Sequence, residues 1–581
     1  MRDVRTKRQN ALDFAVATSL AFAVGCRETG SSSDRRDGYA VDGGGVSAMS
    51  SPARALSDCT AFAKMSTSDK AGRLLIVGLP GPRLNDKSKA LLARIHPGGV
   101  CLYKKNIESD SQVRDLVADV KSLYSPEMEP FIAVDEEGGA VSRFEAGILQ
   151  LPGAMALGAA GSPDLAREAG EQLGRYLRSL GINMNFAPVL EPATNPASRT
   201  IGVRAFSDES AAVSTLGGAF VAGQQSAGLL SVVKHFPGHG IDQVDSHWRI
   251  PVIPAKTLEE LDEETRPFAV ALTDGGADGV MVSHAAIPGI TGTLDPITFS
   301  HDVLTDYVKG RLGFRGIVVT DALSMSSLRK AERAEDVAAR RAVEAGADMV
   351  LLPSGDPSAA HAALADALTS GAISEERSSD ALMRICALRK PHRDRAQGAT
   401  EGPDAALPRE IARRSITVLK GGDVVPVRPG SSVAVVTTSS AFHVAANRLH
   451  PARSILLPFL APDLYGVPRE WAPDVLDGAR AACAKADVLV VAIINDEELP
   501  LPQSLRALGK PVVLVSLGRP YLLELGRDAD ALVAAYSYTP ASAEAVVSVL
   551  SGSEPPAGRL PVMLPHFERG AGLMVLGGPK E

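Results

Sequence analysis

Short apolar runs rich in β-branched residues recur along the chain from about residue 70, and stretches with helical periodicity separate them. Because these runs are continuously apolar rather than alternating, they are typical of strands buried on both faces of a parallel sheet. Eight strands that each lead into a helical crossover predict an α/β fold, a closed (β/α)8 TIM-type barrel. The runs are residues 73–79, 98–103, 130–135, 182–190, 229–235, 279–284, 316–321 and 347–352.

Further apolar runs alternate with helical segments in the last third of the chain, which predicts a second, smaller α/β sandwich domain with a mostly parallel sheet. A polar stretch rich in proline and glycine precedes it and is typical of a linker. We therefore place the barrel domain at residues 59–395, the linker at 396–415 and the sandwich domain at 416–581. The sandwich runs are residues 431–438, 486–494, 510–518 and 531–538.

Polar side chains follow several of the predicted barrel strands at the point where each strand ends. They are Lys104, Asp135, Asn185, the pair Lys234 and His235, the pair Ser283 and His284, and Asp321. Barrel enzymes carry their chemistry at the carboxyl ends of the strands. A single aspartate at such a position can simply cap the following helix, but six polar strand ends together predict an active site at this rim.

The N-terminal segment differs in character from the rest of the chain. Residues 1–10 are basic, residues 11–25 are mostly apolar but too short to span a bilayer, and Cys26 follows directly. This order resembles a bacterial lipoprotein signal peptide with its lipid anchor at Cys26, which predicts a protein of the cell envelope. Residues 27–58 have the Gly- and Ser-rich composition of a flexible tether. The alternative is a disordered tail with a chance cysteine.

Composition narrows the range of partners. The net charge of -8 and the lack of a basic stripe argue against nucleic-acid binding. Outside the N-terminal segment we expect no transmembrane span, so membrane contact would come only through the anchor. The later cysteines are too scattered for a disulfide scaffold or a metal site. They are Cys59, Cys101, Cys386 and Cys483.

The segment KHFPGHGIDQVDSHW, residues 234–248, gathers three histidines directly after a predicted strand. A metal site is one interpretation, with a zinc set drawn from His235, His239, Asp242, Asp245 and His247. The spacing of His235 and His239 gives a shared face only on a helix, however, and the Pro237–Gly238 pair prevents one. We therefore predict no metal and no cofactor, and we interpret His239 as a structural loop residue.

Six motifs stand in a fixed order along the barrel segment: VDEEGGAVSRF (134–144), NFAPVLEP (185–192), IGVRAFS (201–207), KHFPGHG (234–240), DSH (245–247) and VTDALSM (319–325). This series resembles the family 3 glycoside hydrolases, and most of all their bacterial two-domain β-N-acetylglucosaminidase branch. The chain departs from the family pattern at two positions. Glu191 stands where many members carry aspartate, and Ala322 follows Asp321 where some have a second aspartate.

The resemblance implies a role for individual residues. Asp321 is implied as the nucleophile that forms a glycosyl-enzyme intermediate, and His247 as the general acid/base that Asp245 orients. Histidine suits that role because it titrates near neutral pH. The residues implied to bind the hydroxyls of the terminal sugar are Asp135, Arg143, Arg204, Lys234 and His235.

The implied function is that of a retaining, exo-acting β-N-acetylglucosaminidase that releases terminal β-linked N-acetylglucosamine from cell-wall or chitin-type oligosaccharides, as in peptidoglycan recycling. Alternatives are a β-N-acetylglucosaminide phosphorylase or a β-glucosidase of the same family, and a non-catalytic sugar-binding lipoprotein. In the β-glucosidase branch the second domain can supply the acid, for which Glu497 and Glu498 are the candidates here. Because the chain has the DSH motif, we interpret these two glutamates as a solvated strand end.

Removal of His247 is expected to lower turnover most for substrates whose leaving group needs a proton. His247→Ala should lower turnover of a natural disaccharide by about 10²- to 10⁴-fold, the usual contribution of general acid/base catalysis, and should lower the first step with an activated nitrophenyl glycoside much less. Asp245→Ala should give a milder form of the same pattern. Steady-state and burst kinetics on both substrates measure this difference. Equal losses on both would instead identify His247 as a binding or structural residue.

Overall fold

The structure is a computed structural model of the chain. It describes Cys59, Phe62, Gly147, Leu328 and residues 64–144, 149–239, 250–325, 334–389, 403–449, 452–458 and 471–574. Four groups of predicted features lie outside these residues: the signal peptide with Cys26, the tether up to residue 58, the first part of the linker, and the loop that carries Asp245 and His247.

The first domain is a closed barrel of eight parallel strands in sequence order, as the apolar runs predicted. β1 pairs with both β2 and β8, which closes the barrel. Most strand residues are fully buried because side chains fill the barrel inside and helices cover it outside. The strands are Leu75–Gly78 (β1), Gly99–Leu102 (β2), Phe131–Val134 (β3), Met184–Asn185 (β4), Leu230–Phe236 (β5), Gly279–Val282 (β6), Ile317–Ala322 (β7) and Met349–Leu352 (β8).

Helices cross over between successive strands and begin at sequence signals that satisfy their free N–H groups. In the helix Pro163–Ser179, for example, the side chain of Ser162 accepts the N–H of Leu165, and proline occupies the first turn. The helices of this domain are Thr67–Arg73, Asp86–Ile95, Asp110–Lys121, Ala154–Ala160, Pro163–Ser179, Ser210–Ser226, Leu258–Glu264, Arg266–Thr273, Pro288–Thr291, the π-helix Asp302–Arg311, Glu335–Ala345, Ser358–Ser370 and Glu375–Ala387.

The second domain is a six-stranded sheet in the order β11-β10-β12-β13-β14-β9, in which only the β9–β14 pair is antiparallel. This arrangement confirms the predicted α/β sandwich with a mostly parallel sheet. Its strands are Thr417–Lys420 (β9), Val433–Thr437 (β10), Ala452–Leu456 (β11), Val488–Ile493 (β12), Val512–Ser516 (β13) and Ala531–Ala534 (β14). Its helices are Leu407–Ser415, Ser440–Ala446, Pro473–Cys483, Pro500–Arg506, Tyr521–Leu525 and Pro540–Ser551.

The two faces of the second sheet contribute to different apolar cores. Side chains of one face, such as Val436 and Val491, belong to the same contiguous cluster as the barrel interior, whereas their neighbours Val435 and Val490 belong to a separate cluster on the other face. The two-residue period of a strand produces this division. The second domain is therefore packed against the barrel through buried apolar contacts.

A disulfide joins Cys59 to Cys386, so that the segment in front of the barrel is tied to the last barrel helix. The two cysteines are 327 residues apart, a separation from which the pairing could not be deduced. Cys101 and Cys483 are buried and form no disulfide among the described residues. Among the described helices, none combines the length and the apolar character that a membrane crossing requires.

Candidate active site

Asp321 is the second-last residue of strand β7 and lies half-buried at the carboxyl end of the barrel. Its Oδ1 accepts the backbone N–H of Ala322 at 2.7 Å. Burial by itself would raise the pKa of this carboxyl, but the nearby imidazoles of His235 and His284 and the Ala322 N–H together hold the pKa below its usual value. Asp321 is therefore an ionised carboxylate at neutral pH, as a nucleophile requires.

A buried lysine joins two carboxylates at the same rim of the barrel. Lys234, on β5, is only 2% exposed, and its Nζ lies 2.7 Å from Asp135 Oδ1 and 2.7 Å from Glu137 Oε1. A buried ammonium is stable only with close anionic partners, and here it has two. The pair Asp135 and Glu137 follows β3, so this ion triad ties the end of β3 to the end of β5.

Two arginines complete the network. Arg204 makes a bidentate ion pair with Glu137, with Nε–Oε2 and Nη2–Oε1 distances of 2.8 Å, and its Nη1 donates to the carbonyl of Thr200. Arg143 Nη2 lies 3.4 Å from Asp135 Oδ2. Arg143 is thus part of the rim network rather than a separate surface ion pair.

Glu191 organises the start of the histidine-rich segment. Its carboxylate accepts the backbone N–H groups of His235 and His239 at 3.2 and 2.7 Å. It is also 2.7 Å from His235 Nδ1 and about 3.0 Å from His239 Nδ1. The two rings meet edge to face with centroids 4.7 Å apart. His239 is therefore a buried residue that fixes the loop, and Glu191 serves well at a position where aspartate is the commoner residue.

These three side chains could also be drawn as a metal site, since their ligand atoms lie within 4.8 Å of one another. The chemistry of the donor set favours hydrogen bonding instead. Both Glu191 oxygens already accept backbone N–H groups, which occupies lone pairs that a cation would need. Each imidazole uses its Nδ1 toward the same carboxylate, an arrangement that orients the ring and fixes its tautomer. Burial lowers the pKa of His235, whereas the Glu191 charge outweighs burial and raises the pKa of His239.

His284, at the end of β6, supports the backbone next to Asp321. Its Nε2 is 3.1 Å from the carbonyl oxygen of Ala322, and its Nδ1 is 2.7 Å from Thr298 Oγ1. Because a carbonyl only accepts, Nε2 carries the proton in the neutral ring. The Thr298 hydroxyl beside Nδ1 also lies 3.1 Å from the carbonyl oxygen of Ser283. Burial lowers the pKa of His284, which favours this neutral form. His284 therefore holds β7 at the nucleophile.

The other predicted rim residues serve different ends. Asn185 is fully buried and holds the turn after β3: its Nδ2 donates to the carbonyl of Glu136 at 2.8 Å, and its Oδ1 accepts the N–H of Glu136 at 3.0 Å. Lys104 lies exposed in a short 3-10 helix. The described part of the chain thus brings together Asp321 and all five residues predicted to bind the sugar, whereas the roles of His247, Asp245 and Cys26 stay predictions.

Two side chains of this site, Glu137 and Glu191, have no role predicted from the sequence, and His284 is predicted only as one of the polar strand ends. The signal for Glu137 was its position two residues after Asp135 in VDEEGG, which places both carboxylates in the same strand-end turn. Glu191 was noticed only as a departure from the family pattern. The partners of Glu137 and Glu191 lie 44 to 97 residues away, so only the folded chain could identify them.

The interpretation of Glu497 and Glu498 as a solvated strand end is wrong. Both are buried, with exposures of 5% and 0%. Glu497 Oε1 lies 2.6 Å from Nη1 of Arg199 in the barrel domain. Glu498 accepts the hydroxyl of Thr438 and the N–H of Ile494, and burial raises its pKa to about 7. The short acidic segment after β12 is folded into the protein because each carboxylate finds an internal partner there.

Exchange of the Glu191 charge tests its role. Glu191→Gln keeps the shape but points an NH₂ group at N–H donors, so we expect kcat/KM on a nitrophenyl β-N-acetylglucosaminide to fall by about ten- to a hundredfold. The pKa of His239, measured by NMR titration, should fall because its anionic partner is gone. Glu191→Asp keeps the charge and should lose much less. An unchanged His239 pKa together with unchanged kinetics in the Gln variant would contradict this role.

Comparison with known proteins agrees with the geometry of both domains. Residues 66–388 match the Glycosyl hydrolase family 3 N terminal domain, and residues 365–571 match the Glycosyl hydrolase family 3 C-terminal domain. The first match alone covers more than half of the chain.

Similar proteins point to one branch of that family. A beta-hexosaminidase of Nitrosomonas eutropha is 36% identical over 296 residues, which are 49% of this chain and 82% of the relative. Beta-hexosaminidase A of Pseudoalteromonas piscicida is 30% identical over 375 residues, 59% of this chain and 62% of the relative, so the chain spans less than two thirds of that protein.

A solved structure extends the similarity to both domains. The glycoside hydrolase family 3 beta-N-acetylglucosaminidase from Paenibacillus sp. str. FPU-7 superimposes with a TM-score of 0.79 at 30% identity, over 86% of this chain and 99% of that one. The predicted family, branch and two-domain fold are thereby confirmed. The chain belongs to glycosyl hydrolase family 3, a family of glycoside hydrolases, and within it to the bacterial β-N-acetylglucosaminidase branch.

Proposed function

We propose that this protein is a retaining, exo-acting β-N-acetylglucosaminidase with Asp321 as its nucleophile. The observation that carries the proposal is a carboxylate at the end of β7, on the barrel rim that also carries the buried network of Lys234, Asp135 and Glu137. The lowered pKa of Asp321 agrees with this role. The two beta-hexosaminidases and the beta-N-acetylglucosaminidase structure support N-acetylglucosamine as the sugar. The aglycone is a cell-wall or chitin-type oligosaccharide.

The reaction proceeds in two displacements at the anomeric carbon. An Asp321 oxygen forms a bond to this carbon as the bond to the glycosidic oxygen breaks, and the leaving oxygen takes a proton from the general acid. Water then loses a proton to the same group, now a base, and displaces Asp321, which leaves as a carboxylate. The product keeps the β configuration because two inversions restore it.

The His247/Asp245 pair supplies the general acid/base in this proposal, on the family resemblance of the DSH motif. The burial of the second-domain glutamates supports that choice. Glu497 is held in an ion pair with Arg199, and Glu498 accepts two hydrogen bonds within its own domain, so neither is a free proton donor toward the barrel.

The rim network binds the hydroxyls of the terminal sugar. Two of the three N–H groups of Lys234 point to carboxylates, which leaves one for a hydroxyl oxygen. Each Asp135 oxygen has a lone pair beyond those used by Lys234 and Arg143 and accepts a sugar O–H. Pre-formed ion pairs keep these groups in place before substrate arrives, which limits the entropy lost on binding.

Turnover of nitrophenyl β-glycosides tests the proposal. We expect the N-acetylglucosaminide to be cleaved much faster than the glucoside, with β-N-acetylglucosamine as the first product by NMR and no acceleration by phosphate. Asp321→Ala should lower kcat by on the order of 10³-fold or more, and added azide should give the α-glycosyl azide. A sugar phosphate product would identify a phosphorylase, faster glucoside cleavage a β-glucosidase, and sugar binding without any turnover a receptor.

We also propose that the protein is exported and anchored in the cell envelope through Cys26. The basic, apolar, cysteine order of residues 1–26 supports this location. The Cys59–Cys386 disulfide supports it independently, because disulfides persist in oxidising compartments outside the cytosol. An anchored enzyme on a tether would act on wall-derived sugars where they are released.

Substitution of Cys26 tests the anchor. Cys26→Ala should move the protein from the membrane fraction to the soluble fraction, or leave it unprocessed, because the lipid attachment site is gone. Cys101→Ala, which alters a buried free thiol, is the matched control and should leave the distribution unchanged. Identical fractionation of the Cys26 variant and the unmodified protein would contradict the lipoprotein assignment.

A further inference from the structure

The second domain contacts one rim segment of the barrel at several points. This segment, the β4 loop, comprises residues 186–209 between β4 and the helix Ser210–Ser226. It carries Glu191, which holds the two loop histidines, and Arg204, which holds Glu137. Its conformation therefore sets the position of groups on both sides of the candidate site.

Arg519 of the second domain binds both the backbone of the β4 loop and a carboxylate of its own domain. Its Nη1 donates to the carbonyl of Pro196 at 2.7 Å, and its Nη2 lies 2.6 Å from Asp496 Oδ2. Two residues further on, the hydroxyl of Tyr521 donates to the carbonyl of Ala193 at 3.1 Å. These are hydrogen bonds to loop backbone, so they fix the path of the chain whatever its side chains are.

Arg199, in the β4 loop of the barrel domain, forms ion pairs with two carboxylates of the second domain. Its Nη2 lies 2.9 Å from Asp496 Oδ2, and its Nη1 lies 2.6 Å from Glu497 Oε1. The Asp496 carboxylate is thus shared by an arginine of each domain. Because the Glu497 side chain is only 1% exposed, loss of Arg199 would leave a buried carboxylate without its ion partner, which is costly.

The loop is held at its other end as well. Ser207 donates its hydroxyl to the carbonyl of Pro561 at 2.6 Å. Asp208 accepts the N–H of Met563 and the Nε–H of Arg569, both at 2.7 Å. Between the two ends lies Gly202, which has a positive φ of 42°. A Cβ added at this position would lie 3.0 Å from Cδ of Arg519, so the Arg519 side chain packs closely against the loop backbone there.

We infer that the second domain acts in catalysis by positioning the β4 loop, with Arg519 and Asp496 as its positioning residues. Neither residue is placed to touch substrate. Their effect passes through the loop to Arg204 and Glu137, and so to Lys234 and the sugar-binding carboxylate Asp135. The inference rests on the proposed function for its kinetic readout, but the geometry of the loop can be measured without substrate.

Arg519→Ala is the direct test. Removal of charge-assisted hydrogen bonds at both the Pro196 carbonyl and Asp496 should raise KM for the N-acetylglucosaminide and lower kcat/KM by about ten- to a hundredfold in protein that is still folded. Arg519→Lys restores the charge but not the two-pronged geometry and should recover part of the loss. Tyr521→Phe removes one hydrogen bond only and should show a smaller effect of the same kind.

The matched control is Arg506→Ala. Arg506 is also an arginine of the second domain in an ion pair, with Asp528 at 3.6 Å, but this pair is exposed and the β4 loop is not involved. It should leave KM and kcat unchanged. Circular dichroism and thermal unfolding of all variants separate a local change in the loop from a failure to fold, and Tyr521→Phe serves if Arg519→Ala does not fold.

Limited trypsin digestion gives a readout that does not need substrate. A loosened β4 loop should be cut faster after Arg199 in Arg519→Ala than in the unmodified protein or in Arg506→Ala, as mass spectrometry of the fragments would show. Unchanged kcat/KM and unchanged cleavage in folded Arg519→Ala would overturn the inference. If the unmodified protein does not act on the N-acetylglucosaminide, the proposed function fails, while the cleavage rates still decide whether the second domain holds the loop.

Discussion

The ammonium group of Lys234 lies where three segments of the barrel rim meet. It is removed from water, so its charge must be balanced by anions in direct contact. Asp135 and Glu137 provide that balance, and Arg204 in turn balances Glu137. The ends of β3 and β5 and the β4 loop are therefore bound to one another before any sugar arrives. The loss of one partner would therefore upset the balance of buried charge in the network.

This constraint explains why the second domain matters to a site that lies in the barrel. The β4 loop supplies one member of the charge network, Arg204, and the barrel also holds the loop through Glu191 and through the Leu190 N–H, which donates to the carbonyl of Lys234. The remaining contacts come from Arg519, Tyr521 and the residues around Pro561. A shared apolar core brings the domains together, and polar contacts at its edge then set the course of one catalytic segment.

The glutamates after β12 show that the sequence can predict the wrong environment for a pair of side chains. The DSH motif leaves the glutamates of NDEE without a catalytic role, which is why the sequence predicts a solvated strand end for them, and solvent is the usual partner of such groups. In the folded protein Arg199 approaches from the other domain, 298 residues away in sequence, and replaces solvent for Glu497. Local composition carries no information about that approach. The same reason applies to Glu191, whose histidine partners lie 44 and 48 residues further along the chain.

The eight barrel strands, their order and the polar rim were determined by the sequence alone, because continuous apolar runs and the 3.6-residue period of helices are local properties of the chain. The second sheet was determined only in part, since four apolar runs predicted it and six strands form it. The ordered motifs added the family and pointed to Asp321, Asp135 and Lys234. Only the tertiary structure decided which charges neutralise one another, that Cys59 pairs with Cys386, and that the second domain reaches the β4 loop. Each of these joins residues distant in sequence, and its free energy depends on burial that exists only once the chain has folded.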